Sequence, residues 1–188
     1  MKLLGLSGYA RSGKDTAYEL LREDGWQRIS FAEPMRKFLY ALNPIVGMEH
    51  TVGSSLKLQE VRVQKVIDTY GWDGYKTSPY GTEMRELMQR LGTACGREIL
   101  GANIWVDTAL NNLPNGRYVV TDCRFLNEAE AIRDSEGWVV RINRKGIGPA
   151  NEHVSETGLD GYEFDAVVNN DSSLEEFKGE LKKIVEKI

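Results

Sequence analysis

Leu3-Leu4-Gly5-Leu6-Ser7-Gly8-Tyr9-Ala10-Arg11-Ser12-Gly13-Lys14-Asp15-Thr16 decides the fold, because an apolar run meets a glycine-bounded loop and then a lysine that opens a helical pattern. Gly8, four residues, Gly13 and Lys14 have the spacing of a phosphate-binding loop. The glycines let the backbone curl so that successive N–H groups, including those of Arg11 and Ser12, point inward at phosphate oxygens. The helix that follows adds its positive N-terminal end, and Lys14 is placed to reach the outer phosphates. Ala17, Leu20 and Leu21 continue at helical spacing, so strand, loop, lysine and helix occur in the order the chemistry needs.

The position after the lysine departs from the usual motif. A serine or threonine hydroxyl normally ligates magnesium there, and this chain has Asp15 with Thr16 behind it. A carboxylate is a competent magnesium ligand, directly or through water, so either residue can serve. An aspartate in a first helical turn also complements the helix dipole without any metal.

Outward from this stretch the chain alternates strand-like and helix-like pieces. Residues 2–7, 26–31, 118–121, 138–142 and 164–168 read as strands. Helical patterns cover 14–23, the stretch after Pro34, and a piece holding Leu126, Ala129 and Ile132. The last helix carries Leu174, Phe177, Leu181, Ile184, Val185 and Ile188 on one stripe, with Ser172 and Glu175 as an expected capping box. Strands separated by helices predict an α/β fold, a five-stranded parallel sheet covered on both faces. Two interruptions break the alternation: a mostly helical insertion over 35–117, with a Gly, Tyr and Pro-rich loop at 71–82, and a lid-like stretch over 144–163.

At 188 residues the chain has the length of a single domain with a sizeable core. A net charge of −4 gives no global basic field, which disfavours bulk nucleic-acid binding. Two cysteines and two histidines are too few and too scattered for a disulfide framework or a zinc site. The apolar run at 3–6 is too short for a signal or membrane segment, and a reducing cytoplasm fits the cysteine usage.

In open α/β sheets ligands sit at the carboxyl ends of strands. Asp122 follows Tyr118-Val119-Val120-Thr121, where a second acidic group holds magnesium or its water; an aspartate there also caps a following helix. Arg124, two residues on, is placed to reach the same phosphates. Arg85, Gln89, Gly92 and Gly96 fall on one face of a helix, a pair of donors followed by no bulk. Such a face lets a small ligand lie close, with Arg85 on a phosphate and Gln89 on a base edge or sugar, and it equally suits a close helix contact. Trp72, Tyr75, Tyr80 and Trp105 are candidates for stacking a base or for packing.

Five stretches together resemble the bacteriophage-type deoxynucleoside monophosphate kinases of the P-loop kinase superfamily. They are Ser12 to Thr16; Phe31-Ala32-Glu33-Pro34-Met35-Arg36; Arg85 to Thr93, continuing to Arg97 and Trp105-Val106; Thr121 to Glu128; and His153-Val154-Ser155-Glu156. The resemblance spans nearly the whole chain. It implies transfer of the γ-phosphoryl of ATP, with Mg2+, to a (deoxy)nucleoside monophosphate, in nucleotide precursor supply. It also implies a kinase core with a nucleoside-monophosphate-binding insertion and a lid. Lys14 would hold β and γ oxygens, and Asp15, Thr16 and Asp122 the magnesium. Arg36, Arg85, Arg97, Arg124 and Arg144 would form the pool that grips acceptor and transferring phosphates, with Gln89 and Trp105 on the acceptor. A cytoplasmic enzyme follows, in host cytoplasm if phage-encoded, with no nucleic-acid or membrane partner and a homodimer left open. The lysine-aspartate loop is also similar to that of phosphomevalonate kinases, which with dephospho-coenzyme A kinases are the alternative; a regulatory ATPase is a further one. The residues alone assign no role to His153, Ser155 or Glu156.

Overall fold

The computed structural model of the chain describes residues 1–50, 57–111, 113–149 and 154–188, with the side chain of Ser155 outside the description. The chain divides into two compact units, Met1–Phe31 with Val106–Ile188, and Ala32–Trp105.

The first unit is built on five parallel strands. They are β1 (Lys2–Ser7), β2 (Gln27–Ile29), β5 (Arg117–Val120), β6 (Trp138–Asn143) and β7 (Ala166–Asn169), in the order β2-β5-β1-β6-β7. Leu3, Leu4 and Leu6 have no exposed surface, as a central parallel strand covered on both faces requires. Side chains alternate across the sheet. Leu4 and Leu6 join Val119, Val140 and Ile142 on the face covered by α1 (Lys14–Arg22) and α8 (Leu174–Val185), through Ala17, Leu21, Phe177 and Leu181. Leu3, Val120 and Val139 face the other way, onto Ala129 and Ile132 of α6 (Leu126–Asp134) and Val106 of α5 (Ile104–Leu110).

The expected strands are all present, the first with the expected bounds and the other four with shifted ends. The second is only three residues long, because Ser30 and Phe31 turn away from the ladder to bind Asp122. The capping box of α8 is formed by Ser173 and Glu176, one residue later than the expected Ser172 and Glu175. Both registers place a serine three residues before a glutamate, and the extended backbone at Ser173 selects between them. Part of the stretch at 144–163 lies outside the described residues.

The second unit is mostly helical, as its sequence suggests, and also holds one pair of strands. After α2 (Glu33–Leu42) comes an antiparallel pair, β3 (Ile45–His50) and β4 (Leu58–Arg62), then α3 (Val63–Gly74), a short 3₁₀ turn (Tyr75–Thr77), α4 (Gly81–Arg90) and a π-helical stretch (Leu91–Leu100). The sequence hides the pair because only Val46 and Val61 of its two strands are buried, so no period-2 signal develops. Leu39, Val46, Val61, Val63, Val66, Tyr75 and Met84 form this unit's own core. The expected loop at 71–82 is mostly helical turns, broken at Gly71, whose φ of 71° interrupts α3.

Candidate functional site

The loop between β1 and α1 winds as the glycine spacing requires. Gly8 and Gly13 have φ of 142° and 111°, and Arg11 is left-handed at 68°. Neither glycine has room for a side chain. A Cβ on Gly8 would strike the carbonyl of Ile142 and lie 2.7 Å from Ser12 Oγ, and one on Gly13 would strike the Asn170 amide. Left-handed positions spaced through a short loop are the backbone pattern from which anion-binding concavities of N–H groups are built. Ser12 Oγ is buried in it with no hydrogen-bond partner among the described residues.

Lys14 begins α1 and folds back over the loop, its ammonium donating to the carbonyls of Gly8 (2.5 Å) and Tyr9 (2.9 Å). Burial is the main cause that lowers its pKa to about 8, helped by the charges of Arg124 and Arg141 and opposed by Asp15 and Glu156. A cluster of cations around a desolvated lysine is a site short of negative charge. Asn170, at the end of β7, donates to the Ser12 carbonyl at 2.9 Å and closes the loop from the far side.

The strand ends supply the remaining groups. Asp122 follows β5 and accepts from the Ser30 hydroxyl (2.7 Å) and the Phe31 N–H (3.0 Å), so the end of β2 fixes its carboxylate. Asp15 pairs with Arg28 of β2 at 2.9 Å, and the same guanidinium donates through Nε to Thr121 Oγ1 at 2.9 Å. Arg28, absent from the sequence reading, therefore joins the residue after the loop lysine to the residue before Asp122. Its position in a short strand carries no motif that marks it. Thr16 and Arg144 are exposed, Arg144 at the end of β6. Among the described residues no three acidic, histidine or cysteine side chains form a metal cage. The oxygen donors of Asp15, Thr16 and Asp122 beside a phosphate loop fit a magnesium ion, which is held by one or two carboxylates together with phosphates.

Arg124 is held at its backbone and at its side chain. Glu128, a buried carboxylate at the start of α6, accepts from the backbone N–H of Arg124 (2.8 Å) and Phe125 (3.1 Å). The guanidinium pairs with Glu156 of α7 (Val154–Thr157) at 3.3 Å. Gly158 lies so near that a Cβ there would sit 3.0 Å from the Arg124 carbonyl. His153 and the Ser155 side chain lie outside the described residues, whereas Glu156 has a partner the sequence did not name.

A second residue absent from the sequence reading is Arg141 of β6. It is buried, pairs with Asp160 Oδ1 (3.1 Å), and has its guanidinium 4.4 Å from the Tyr9 ring centre. Its strand position reads as apolar core, and only the tertiary contacts show why an arginine is there.

In the second unit, Arg36 of α2 lies over the Trp72 ring at 5.6 Å, and Trp72 meets Tyr75 edge to face at 6.2 Å. Burial raises the Tyr75 pKa, while the charges of Arg36 and Arg85 oppose it. Arg85 and Gln89 are exposed one turn apart on α4, and Arg97 is half-buried on the π-helical stretch. The α-helical spacing fails beyond Leu91, where wider winding carries Gly96 off the Arg85–Gln89 line. Gly92 and Gly96 admit protein neighbours: Met35 Sδ would lie 2.9 Å from a Cβ on Gly92, and the Trp105 ring 2.5 Å from one on Gly96. Trp105 is buried with Nε1 donating to the Gly92 carbonyl at 3.0 Å. Tyr80 packs on Gly47 of β3 and donates to Glu49 at 3.3 Å.

A family model described as deoxynucleotide monophosphate kinase matches residues 76–181. A protein of Acanthamoeba polyphaga mimivirus, provisionally named a deoxynucleotide monophosphate kinase, is 28% identical over 202 residues, 96% of this chain and 94% of its own. The deoxynucleotide monophosphate kinase of Escherichia phage RB69 is 36% identical over 108 residues, 54% of this chain and 44% of its own. That of Enterobacteria phage T4 is 33% identical over 105 residues, 53% and 44%. The match spans less than half the length of the two phage proteins. No helix among the described residues is long and apolar enough to cross a membrane.

Proposed function

From the premise that the chain belongs to the deoxynucleotide monophosphate kinase family, we propose that it transfers the γ-phosphoryl group of ATP to a deoxynucleoside monophosphate, giving the diphosphate and ADP. The observation that carries the reading is the loop from Gly8 to Thr16, with its left-handed turns, buried hydroxyl and desolvated lysine at the carboxyl end of a central strand.

The acceptor phosphate is largely ionised near neutrality, since the second pKa of a phosphate monoester is about 6. The chain therefore needs no general base, and its work is positioning and neutralising charge. The loop N–H groups and Lys14 bind the donor phosphates, and Arg144 adds a donor-side cation. Asp15, Thr16 and Asp122 would hold magnesium, which when bound would supply positive charge against the donor phosphates. Ser30 and Phe31 keep Asp122 aimed, and Arg28 does the same for Asp15. Arg124 is the transition-state cation. In the second unit Arg36 and Arg85 bind the acceptor phosphate, Arg97 supports them, and Gln89 reads the base. Trp105 acts there by fixing the course of the backbone at Gly92 and Gly96.

The test is a coupled assay of ADP release with ATP, magnesium and each deoxynucleoside and ribonucleoside monophosphate in turn. Turnover that depends on a deoxynucleoside monophosphate is expected, and Arg124→Ala should lower kcat on the order of 10³-fold. Turnover without any acceptor, or only with phosphomevalonate or dephospho-coenzyme A, overturns the assignment. So does normal turnover by both Lys14→Ala and Arg124→Ala.

A further inference from the structure

We infer that Arg141 is a positioning residue which, with Asp160, pins the Tyr9 side chain and so holds the first turn of the phosphate-binding loop in its donor-binding shape. The inference rests on the reading that this loop binds the phosphates of ATP.

Only two charged side chains are buried among the described residues, Glu128 and Arg141. Glu128 caps α6, whereas Arg141 occupies a place in β6 between Val140 and Ile142 that an aliphatic residue would fill at no desolvation cost. A buried guanidinium persists where its flat faces and its donors are both used. Here the guanidinium carbon lies 4.4 Å from the centre of the Tyr9 ring and 5.6 Å from that of Phe164. Its donors reach Asp160 Oδ1 at 3.1 Å and Asn143 Oδ1 at 3.4 Å.

The Tyr9 hydroxyl donates at 2.9 Å to the same Asp160 oxygen that Arg141 uses. Tyr9 is thus held at both ends, its ring by the cation and its hydroxyl by that cation's counter-ion. Its backbone carbonyl in turn accepts from the Lys14 ammonium at 2.9 Å and the Ser12 N–H at 3.2 Å. A displaced Tyr9 ring therefore disturbs the carbonyl that orients the loop lysine and closes the turn before Gly13. Position 9 is a free position in the loop motif, so the sequence pattern alone gives this tyrosine no task.

The experiment measures ATP affinity by calorimetry, and kcat and both KM values in the coupled assay, for Tyr9→Leu, Tyr9→Phe, Arg141→Lys, Asp160→Ala and the Tyr9→Leu/Asp160→Ala pair, with a Tm for each. Loss of the stack in Tyr9→Leu or Arg141→Lys should weaken ATP roughly 5- to 30-fold and leave the acceptor KM unchanged. Tyr9→Phe, which keeps the ring, should recover most of that loss. The paired variant should be no weaker than the worse single, because both remove one device. Unchanged ATP affinity in Tyr9→Leu, losses that multiply in the pair, or a fall in kcat with both KM values intact would overturn the inference. A wild-type protein that binds ATP and phosphorylates no nucleotide would sink the kinase reading alone, and the variant affinities would still decide the role of Arg141.

Discussion

Replacing Gly13 with alanine tests the phosphate-binding loop at its tightest point. Gly13 has φ of 111° and ψ of 17°, outside the region a residue with a side chain adopts comfortably. Holding alanine there costs about 1–3 kcal/mol. The added Cβ also collides with Asn170 Nδ2 and sits 3.3 Å from its Cγ, so Asn170 must swing away and lose its 2.9 Å bond to the Ser12 carbonyl. That bond is worth about 0.5–1.5 kcal/mol. After a partial offset of about 0.4–1 kcal/mol from the stiffer unfolded chain, the net loss is roughly 0.5–4 kcal/mol. In a chain of this size the Tm should fall by roughly 1–16 °C. Urea denaturation followed by far-ultraviolet circular dichroism gives the free energy, and Asn170→Ala separates the two contributions. The double variant should be less destabilised than the sum of the singles, because the collision and the lost bond share Asn170. A Gly13→Ala protein within about 0.5 kcal/mol of wild type would refute both the steric and the backbone argument, and strict additivity with Asn170→Ala would refute the steric one.

In the second unit Gly96→Ala should cost about 1–3 kcal/mol by overpacking the pinned Trp105 ring, measured by the same denaturation, and Trp105→Phe in the same chain should relieve part of it. Lys14 has its pKa lowered to about 8 chiefly by burial, so the folded chain releases this proton before the unfolded one does. The free protein should then gain stability as pH rises from about 8 towards the ordinary lysine value near 10.4, where the unfolded chain still holds the proton. Over the same range kcat/KM for ATP should fall about tenfold per pH unit above 8, and Lys14→Arg should lose that limb. A flat profile in wild type would contradict a desolvated loop lysine. Cys95 is exposed and Cys123 is buried, with burial pushing the Cys123 thiol well above its usual pKa. A disulfide reagent should therefore modify one thiol promptly and the second only as the first unit opens; two equally fast thiols would contradict the packing around Asp122.

The phosphate loop, the five strands and the α8 stripe were legible in the sequence because each is a local pattern: a glycine spacing tied to backbone turns, apolar runs, and a 3.6-residue period. Asp122 and Arg124 follow the end of a strand, which the α/β alternation also predicted. The β3–β4 pair was not legible, since its two strands bury only Val46 and Val61 and show no alternation. The Gly92 and Gly96 face was misleading for a related reason, because a helix that changes its winding at Leu91 no longer obeys the period from which the face was read. Gly96 and Trp105 fill each other's space, and no one-dimensional spacing carries that complementarity. Arg28, Arg141, Glu156 and Asp160 belong to the same class. Each derives its role from a partner at least 13 residues away: Asp15 for Arg28, Tyr9 for Asp160, Asp160 for Arg141 and Arg124 for Glu156. The sequence determined that this chain would build a phosphate-binding strand, loop and helix, since that depends on neighbours along the backbone. Which charges stand around the loop was decided only when parallel strands brought their carboxyl ends to one edge, because a desolvated ion's energy is set by what lies within a few ångströms in space.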